Sequence, residues 1–176
     1  MFTKLKKKYS SEDTLYNNIL LLSRNKLFYT EFDLTDTFQN RIHLIFIHIS
    51  FLFIKIKRIK DNQKYKKFQQ NTFDLLFNKI ELNMRENGFG DVTVNKNMKF
   101  LVKTFYNILL NCENFDKKSY EFKNIFFNNY LERNNQKKAQ INENLIKYFD
   151  KYNAFCFDLS PDSVLKGDFN FNYNYN

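Results

Sequence analysis

Glycine and proline are nearly absent from this chain, which has 3 and 1 of them among 176 residues. Sandwiches and barrels use both residues at their many turns, so their scarcity argues against an all-β fold and favours long helices. The apolar fraction of 43% lies in the globular range, and the length suffices for one domain with a core. We therefore predict an all-α protein, a single domain of about six helices in a compact antiparallel bundle over residues 14–157. A basic segment, 1–13, precedes it, and a disordered Asn- and aromatic-rich tail, 158–176, follows it.

The signatures of secretion, metal binding and catalysis are also missing. Residues 1–13 are basic but contain no apolar core of a secretory signal. Cys112 and Cys156 lack metal-ligand spacing and indicate no disulfide framework, which suits a reducing interior. His43 and His48 are five residues apart and so do not share a helical face as a metal pair would. Since there is also no GxGxxG, P-loop or nucleophile elbow, we predict a non-enzymatic protein without a metal or cofactor.

Positive charge is present in excess, with 28 Lys and Arg against 19 Asp and Glu and a net charge of +9. This excess is typical of proteins that bind nucleic acid, a ribosome or an anionic membrane surface. The abundance of Lys, Asn, Ile, Phe and Tyr is also what compositional drift in an A/T-rich genome produces. The densest basic stretch, residues 55–67, therefore predicts either a solvated linker or a binding patch.

Hydrophobic periodicity divides the chain into six helices. The first is predicted over 14–24 with Ser11 as its N-cap, and the second begins at Asp36, with Gln39 completing a capping box. Residues 42–56 are apolar nearly all round but shorter than the ~20 residues of a membrane span, which predicts a buried central helix. The remaining helices are predicted at 66–87, 91–109, 117–133 and 138–152.

Two glycines, Gly88 and Gly90, lie between the third and fourth predicted helices. The surrounding string RENGFGD lacks the Lys-Ser/Thr pair of a P-loop. Gly88 stands where a Schellman turn needs a left-handed residue, with Phe89 following it. Gly90 permits a second bend, after which Asp91 caps the next helix. The glycines therefore predict a corner between two helices rather than a phosphate loop.

Glu86 is an unexpected residue at this corner. It lies in the last helical turn, where the helix dipole disfavours a carboxylate, and beside the stripe that contains Leu82. A buried or half-buried carboxylate needs a cation, for which Arg41, His48 and Lys96 are candidates. Glu86 therefore predicts either an ion pair that locks the corner or a carboxylate that binds a partner.

Three blocks of the sequence, residues 15–48, 73–99 and 105–134, contain an ordered set of motifs. The middle block, with Arg-Glu-x-Gly-x-Gly-Asp before a helix, is the most specific. Taken in order, the blocks resemble the ubiquinol–cytochrome c chaperone family, whose members are assembly factors of respiratory complex III. Met84 stands where the family usually has Leu, and Asn107-Ile108 where it often has Gly-Arg. The matching positions are Phe28-Tyr29, Asp36-Thr37, Arg41, His48, Phe73-Asp74, Arg85-Glu86, Gly88, Gly90-Asp91, Val94, Lys96, Phe105-Tyr106 and Arg133-Asn134.

The resemblance implies an all-helical chaperone that binds nascent or unassembled cytochrome b, with a small partner chaperone and the ribosome as further partners and no DNA. It places the protein in the cytoplasm as a peripheral protein of the inner face of the membrane, or in the mitochondrial matrix of a eukaryote. The 22 Phe and 11 Tyr exceed what such a domain needs inside, which suits an exposed client surface. The charge alone favours an alternative, a basic RNA- or ribosome-binding module. The residues that we predict to bind a partner or to form the structural centre are Asp36, Arg41, His48, Asp74, Arg85, Glu86, Gly88, Gly90, Asp91 and Lys96.

Overall fold

The computed structural model describes residues 9–59, 63–134 and 142–173. In these ranges the backbone is mainly helical, and the β pairing consists of one isolated antiparallel bridge between Leu34 and Arg133. The prediction of an all-α fold is therefore confirmed. The helices are α1 (Ser11–Ser23), α2 (Leu27–Thr30), α3 (Phe38–Arg58), α4 (Gln63–Glu86), α5 (Asp91–Cys112), α6 (Tyr120–Tyr130), α7 (Glu143–Asp158) and α8 (Pro161–Lys166), with a 3-10 turn at Phe115–Lys117 between α5 and α6.

Helix α3 is the centre of the domain, because apolar residues cover nearly its whole circumference. It packs against α1, α4, α5 and α7, and all but one residue of 42–56 is buried. The prediction of a central core helix is confirmed. None of the helices in the described ranges combines the length and the hydropathy that a membrane-spanning segment requires.

Aromatic rings connect α3 to α4 and α5. The ring of Phe46 lies 5.6 Å from that of Phe77 and 5.3 Å from that of Phe105, and the last two are 5.8 Å apart. Such ring pairs add about 0.5–1.5 kcal/mol each beyond the burial of their area. The side of α4 that carries Phe77 therefore faces the core, where α4 packs against both α3 and α5.

The predicted N-caps of the first two predicted helices lie one residue from the observed caps. Ser10 rather than Ser11 caps α1, and Thr37 rather than Asp36 caps α3. Asp36 binds the guanidinium of Arg41 through two hydrogen bonds instead, so the predicted capping box does not form. When two neighbouring residues are both good N-caps, side-chain and tertiary contacts decide which of them caps the helix.

The last two long helices also differ in their bounds from the predicted 117–133 and 138–152. Helix α6 begins after Ser119, whose hydroxyl accepts the Phe122 N–H, and α7 begins after Asn142, which caps it in the same way. Residues 138–141 of the prediction, and residues 1–8 of the predicted basic segment, lie outside the described residues. Residues 25–35, between the first two predicted helices, contain the short helix α2.

The prediction of a disordered tail is wrong for residues 158–173. Helix α8 lies on α1, and the extended residues after it pack on α7, with the ring of Phe171 5.1 Å from that of Tyr152 and the ring of Tyr173 5.0 Å from that of Tyr148. In an extended chain successive side chains point to opposite sides. The alternation of Asn with aromatic residues therefore places the rings on the core and the amides in solvent. Residues 174–176 lie outside the described ranges.

Candidate functional site

The corner between α4 and α5 has the predicted Schellman geometry. Gly88 has φ +83°, its N–H donates to the Arg85 carbonyl at 2.9 Å, and the Phe89 N–H donates to the Met84 carbonyl at 3.2 Å. These two bonds satisfy carbonyl groups that the end of α4 would otherwise leave open. The local sequence therefore suffices to explain Gly88 without a ligand.

Gly90 and Asp91 differ from the prediction. Gly90 is the N-cap of α5 with φ −70° and ψ 157°, so Asp91 is the first helical residue and not the cap. The Asp91 carboxylate instead accepts a hydrogen bond from Arg85, which also donates to Glu81 at 2.8 Å. These bonds raise the pKa of Arg85. All of these side chains are substantially exposed, and ion pairs in water contribute little to stability.

Replacing Gly88 by alanine should lower the free energy of unfolding by about 1 kcal/mol, because an L-residue at positive φ is strained. At either glycine of the corner, no heavy atom other than those of the adjacent residues lies within 4 Å of the added Cβ. A steric clash therefore adds nothing to the loss of stability. Gly90→Ala is the matched control, and we expect it to stay within about 0.5 kcal/mol of the wild type. Urea unfolding measures both, and equal losses would contradict the assignment of Gly88.

The predicted site residues lie in four different places. The core contains His48, and the corner consists of Arg85, Gly88, Gly90 and Asp91. A groove has Asp36, Arg41 and Glu86 at or beside it, and the exposed surfaces of α4 and α5 carry Asp74 and Lys96.

Glu86 is exposed, and among the described residues no cation lies within ion-pair distance of it. The first alternative, in which a buried or half-buried Glu86 forms an ion pair with Arg41, His48 or Lys96, is therefore wrong, and a role of Glu86 in binding a partner stays a prediction. The stripe beside it opens to solvent at this end of α4 instead of packing against a helix.

His48 is a structural residue of the core. Its Nδ1 lies 2.7 Å from the Leu44 carbonyl, which can only accept, so Nδ1 carries the proton. Nε2 is then the acceptor for the Tyr148 hydroxyl at 2.9 Å. The side chain is fully buried, and desolvation lowers the pKa of His48 to about 4. The histidine is neutral near pH 7, and burial keeps it from touching a partner.

A groove of about 420 Å³ lies between α1, α3 and α4. Its base is formed by core residues of α3 and α4, and its walls include Phe38 and Leu82, whose apolar side chains are 47% and 55% exposed. Large apolar side chains in one concave surface are typical of a binding site for an apolar partner. The lining consists of apolar Leu20, Phe38, Ile42, Ile45, Ile80 and Leu82, polar Tyr16, Ser23 and Asn83, and charged Arg24, Arg41, Lys79 and Glu86.

Arg41 is held in one orientation at the rim of this groove. Its Nε and one terminal nitrogen donate to the two oxygens of Asp36 at 2.7 and 2.8 Å, a bidentate geometry that restricts both side chains. The hydrogen bond from Arg41 lowers the pKa of Asp36. The groove therefore has a positioned cation at one edge, with Glu86 also at the rim.

Sequence analysis did not identify the wall residues Leu20 and Leu82 or the rim residue Lys79 as functional. The available signal was the second apolar stripe of α4, Phe68, Leu75 and Leu82, which indicates a second neighbour for that helix. Phe68 is buried, whereas Leu82 is exposed beside α1 and lines the groove. The end of this stripe is therefore uncovered in the structure and forms one wall of the groove.

A second, polar cleft of about 820 Å³ lies between the start of α3 and residues 128–134. Asn40 crosses its base, since Nδ2 donates to the carbonyls of Thr35 at 2.7 Å and Glu132 at 2.8 Å, and Oδ1 accepts the Glu132 N–H. His43 donates through Nδ1 to the Tyr130 carbonyl, and burial lowers its pKa. These polar groups bond to one another, so the cleft serves to join the segment after α6 to α3. In the part of the chain that the structure describes, no three or more His, Cys, Asp or Glu could hold a metal ion together.

Comparison with known proteins gives two matches. The family model described as ubiquinol-cytochrome C chaperone matches residues 30–171, which include α3 to α8 and the corner. The crystal structure of the Cbp3 homolog from Brucella abortus superposes with a TM-score of 0.77 at 21% sequence identity, over 93% of this chain and 89% of that one. At this identity the likeness shows a shared fold. No curated protein is significantly similar in sequence.

Proposed function

This chain belongs to the ubiquinol–cytochrome c chaperone family, and we propose that it binds unassembled cytochrome b in the groove between α1, α3 and α4 during assembly of complex III. Membership in a chaperone family implies a non-enzymatic role in complex III assembly. The identity of the client and the place where it binds are our proposal. The observation that carries the proposal is the groove in which exposed apolar side chains lie beside charges at the rim.

The chemistry of the groove suits a segment of a membrane protein. Such a client exposes apolar side chains until it is inserted, and the groove offers Phe38 and Leu82 to cover them. Of the three cations at the rim, Arg41 is already bound to Asp36, which leaves Arg24 and Lys79 against the carboxylate of Glu86. An excess of cations favours a partner with an acidic flank or with the C-terminal end of a helix, where carbonyl groups carry partial negative charge.

The client determines where in the cell the protein would act. A chaperone of a membrane subunit works where that subunit enters the bilayer, so we expect peripheral contact with the inner face of that membrane. A small partner chaperone and the ribosome remain predicted partners.

Replacing Leu82 by aspartate should remove at least nine-tenths of the cytochrome b that co-purifies with the tagged protein, and should lower assembled complex III in the same cells. A carboxylate in the apolar wall would have to be desolvated on binding, and loss of such a central contact costs roughly 2 kcal/mol or more. Leu82 is 55% exposed in the free protein, so the fold should tolerate the change.

Leu21→Asp is the matched control for this variant. Leu21 lies on α1, is 71% exposed and does not line the groove. We expect Leu21→Asp to capture as much cytochrome b as the wild type. Leu82→Asp and Leu21→Asp should melt at similar temperatures. Equal capture by Leu82→Asp and wild type would contradict the groove assignment.

The alternative, an RNA- or ribosome-binding module, depends on the basic stretch 55–67. The described part of this stretch is mostly helical, which differs from the predicted linker, and several of its charges are engaged. Lys55 donates to the Phe157 carbonyl, Lys57 pairs with Glu113 at 2.7 Å, and Arg58 stacks over the Phe157 ring at 4.3 Å. Steeply salt-dependent binding of RNA by the isolated protein, unaffected in the groove variant, would favour this alternative.

A further inference from the structure

The outer face of α5 is an unusual surface for a helix of a folded domain. Opposite its buried side, it presents large apolar side chains to solvent instead of the expected polar ones. Two of them, Val92 and Leu110, are 84% and 64% exposed, and Phe100 and Tyr106 are 59% and 50% exposed. At 3.6 residues per turn, Val92, Lys96, Lys99, Lys103, Tyr106 and Leu110 share one face of the helix, and we call these six residues the α5 outer face.

The charge of this face has one sign. Residues 92–112 contain no Asp or Glu. Lys96, Lys99 and Lys103 are exposed, and in the described ranges none of the three has an ion-pair partner. At the start of the helix the Asp91 carboxylate is already bound to Arg85. The lysines therefore form a row of uncompensated cations between apolar side chains.

We propose that the α5 outer face docks on an anionic lipid bilayer, with the helix lying parallel to the membrane surface. At about 1.5 Å per residue the 22 residues of α5 extend roughly 33 Å, so one helix covers several headgroups. Apolar side chains enter the boundary between headgroups and acyl chains, while the lysines extend toward the phosphates. Tyr106 suits this boundary because its ring is apolar and its hydroxyl is polar.

Other partner classes fit this face less well. A nucleic-acid backbone would engage the lysines but leave the aliphatic side chains, Val92 and Leu110, in water. An apolar protein interface would bury three ammonium groups without partners, at a high desolvation cost. A bilayer surface satisfies both kinds of side chain on the same helix face. The inference deepens the proposed function, since a client that is a membrane subunit requires the chaperone at the membrane, but it concerns a surface separate from the groove.

The test is co-sedimentation of the full chain with vesicles of phosphatidylcholine, with or without phosphatidylglycerol, in the absence of any client. We expect binding to the anionic vesicles that weakens as salt rises. The triple variant Lys96→Gln/Lys99→Gln/Lys103→Gln should bind them roughly a hundredfold more weakly, about fivefold per lysine. Leu110→Asn should weaken binding to the same vesicles with little change in its salt dependence.

A matched control is Lys117→Gln/Lys147→Gln/Lys166→Gln, which removes the same charge from three exposed lysines on other elements. It should retain most of the binding. Equal losses in the two triple variants would mean that only net charge matters, and would overturn the proposal. Binding of single-stranded RNA that depends on the α5 lysines, without binding to vesicles, would overturn it as well.

The same experiment separates this inference from the proposed function. Leu82→Asp should bind anionic vesicles like the wild type, and the α5 triple variant should still capture cytochrome b in detergent extract. If the protein does not bind vesicles but still captures cytochrome b, only the proposal for the α5 outer face fails. If it binds vesicles but does not capture cytochrome b, only the proposal for the groove fails.

Discussion

Replacing Gly167 by alanine is expected to lower the free energy of unfolding by about 3 kcal/mol, the combined cost of a left-handed L-residue and of overpacking. Gly167 ends α8 with φ +64°, where L-residues are strained. A Cβ there would stand 2.6 Å from the Leu15 backbone nitrogen, and closer still to the Ser11 carbonyl oxygen. Both atoms belong to the backbone of α1, so no side-chain rotation can relieve the collision.

The structural consequence of this variant should be a displaced α8. The Asn18 amide donates to the Gly167 carbonyl at 2.7 Å, and this bond between α1 and the end of α8 would be lost with the contact. We therefore expect residues 158–173 to become sensitive to limited proteolysis while the rest of the domain stays resistant. Urea unfolding supplies the free energy.

Gly88→Ala serves as the matched control, because Gly88 also has a positive φ but has open space around its added Cβ. Both variants carry the cost of the backbone conformation, and only Gly167→Ala carries the collision. The difference, about 2 kcal/mol, measures how closely α8 approaches α1. Equal losses of stability in the two variants would show that α8 does not approach α1 as closely as described.

Lowering the pH from 7 to 4 is expected to remove about 3 kcal/mol of stability through His48 alone. The pKa of this histidine is about 4 in the folded protein, against an ordinary value of 6.5 that the unfolded chain keeps. Between these values the unfolded chain takes up a proton and the folded protein does not, so stability is full above pH 6.5 and is lost as the pH falls toward 4. Each unit of difference corresponds to about 1.4 kcal/mol.

The physical cause is the apolar surroundings of the imidazole. The rings of Phe149 and Tyr152 lie 5.1 and 4.7 Å from the His48 ring, and that of Phe28 lies 5.9 Å away. None of these neighbours stabilises an imidazolium as a carboxylate would. Protonation would also cost the bond in which Nε2 accepts from Tyr148.

The measurement is urea unfolding at a series of pH values for the wild type and the double variant His48→Leu/Tyr148→Phe. The second substitution removes a hydroxyl that would otherwise be buried without a partner. The double variant should lose distinctly less stability between pH 6.5 and 4. Burial also lowers the pKa of His43. The variant His43→Gln, in which His48 is intact, therefore measures how much of the acid sensitivity comes from His43. A double variant as acid-sensitive as the wild type would refute the role of His48.

Local chemistry in the sequence was enough for several features. The apolar run of α3 predicts its central position because a helix that is apolar all round can be stable only when other helices surround it. Gly88 predicts the corner because the left-handed residue of a Schellman turn is set by its own backbone and its immediate neighbours. The burial of His48 follows from the same apolar run, since its neighbours in sequence lie on the same buried helix.

The features that the sequence left open depend on which surfaces meet. Glu86 has the same neighbours in sequence whether its side of α4 is covered or faces a groove, and only the position of α1 relative to α4 decides this. Residues 158–173 resemble a disordered tail in sequence because low complexity is a property of composition. In the structure their aromatic rings pack on α7 and on Phe32, which is far away in the chain. By itself the sequence determined the six longer helices, the central position of one of them and the α4–α5 corner, because these follow from interactions within a few turns. Only the tertiary structure decided the groove, the exposure of the charges and the packing of the tail, because burial is a relation between distant segments.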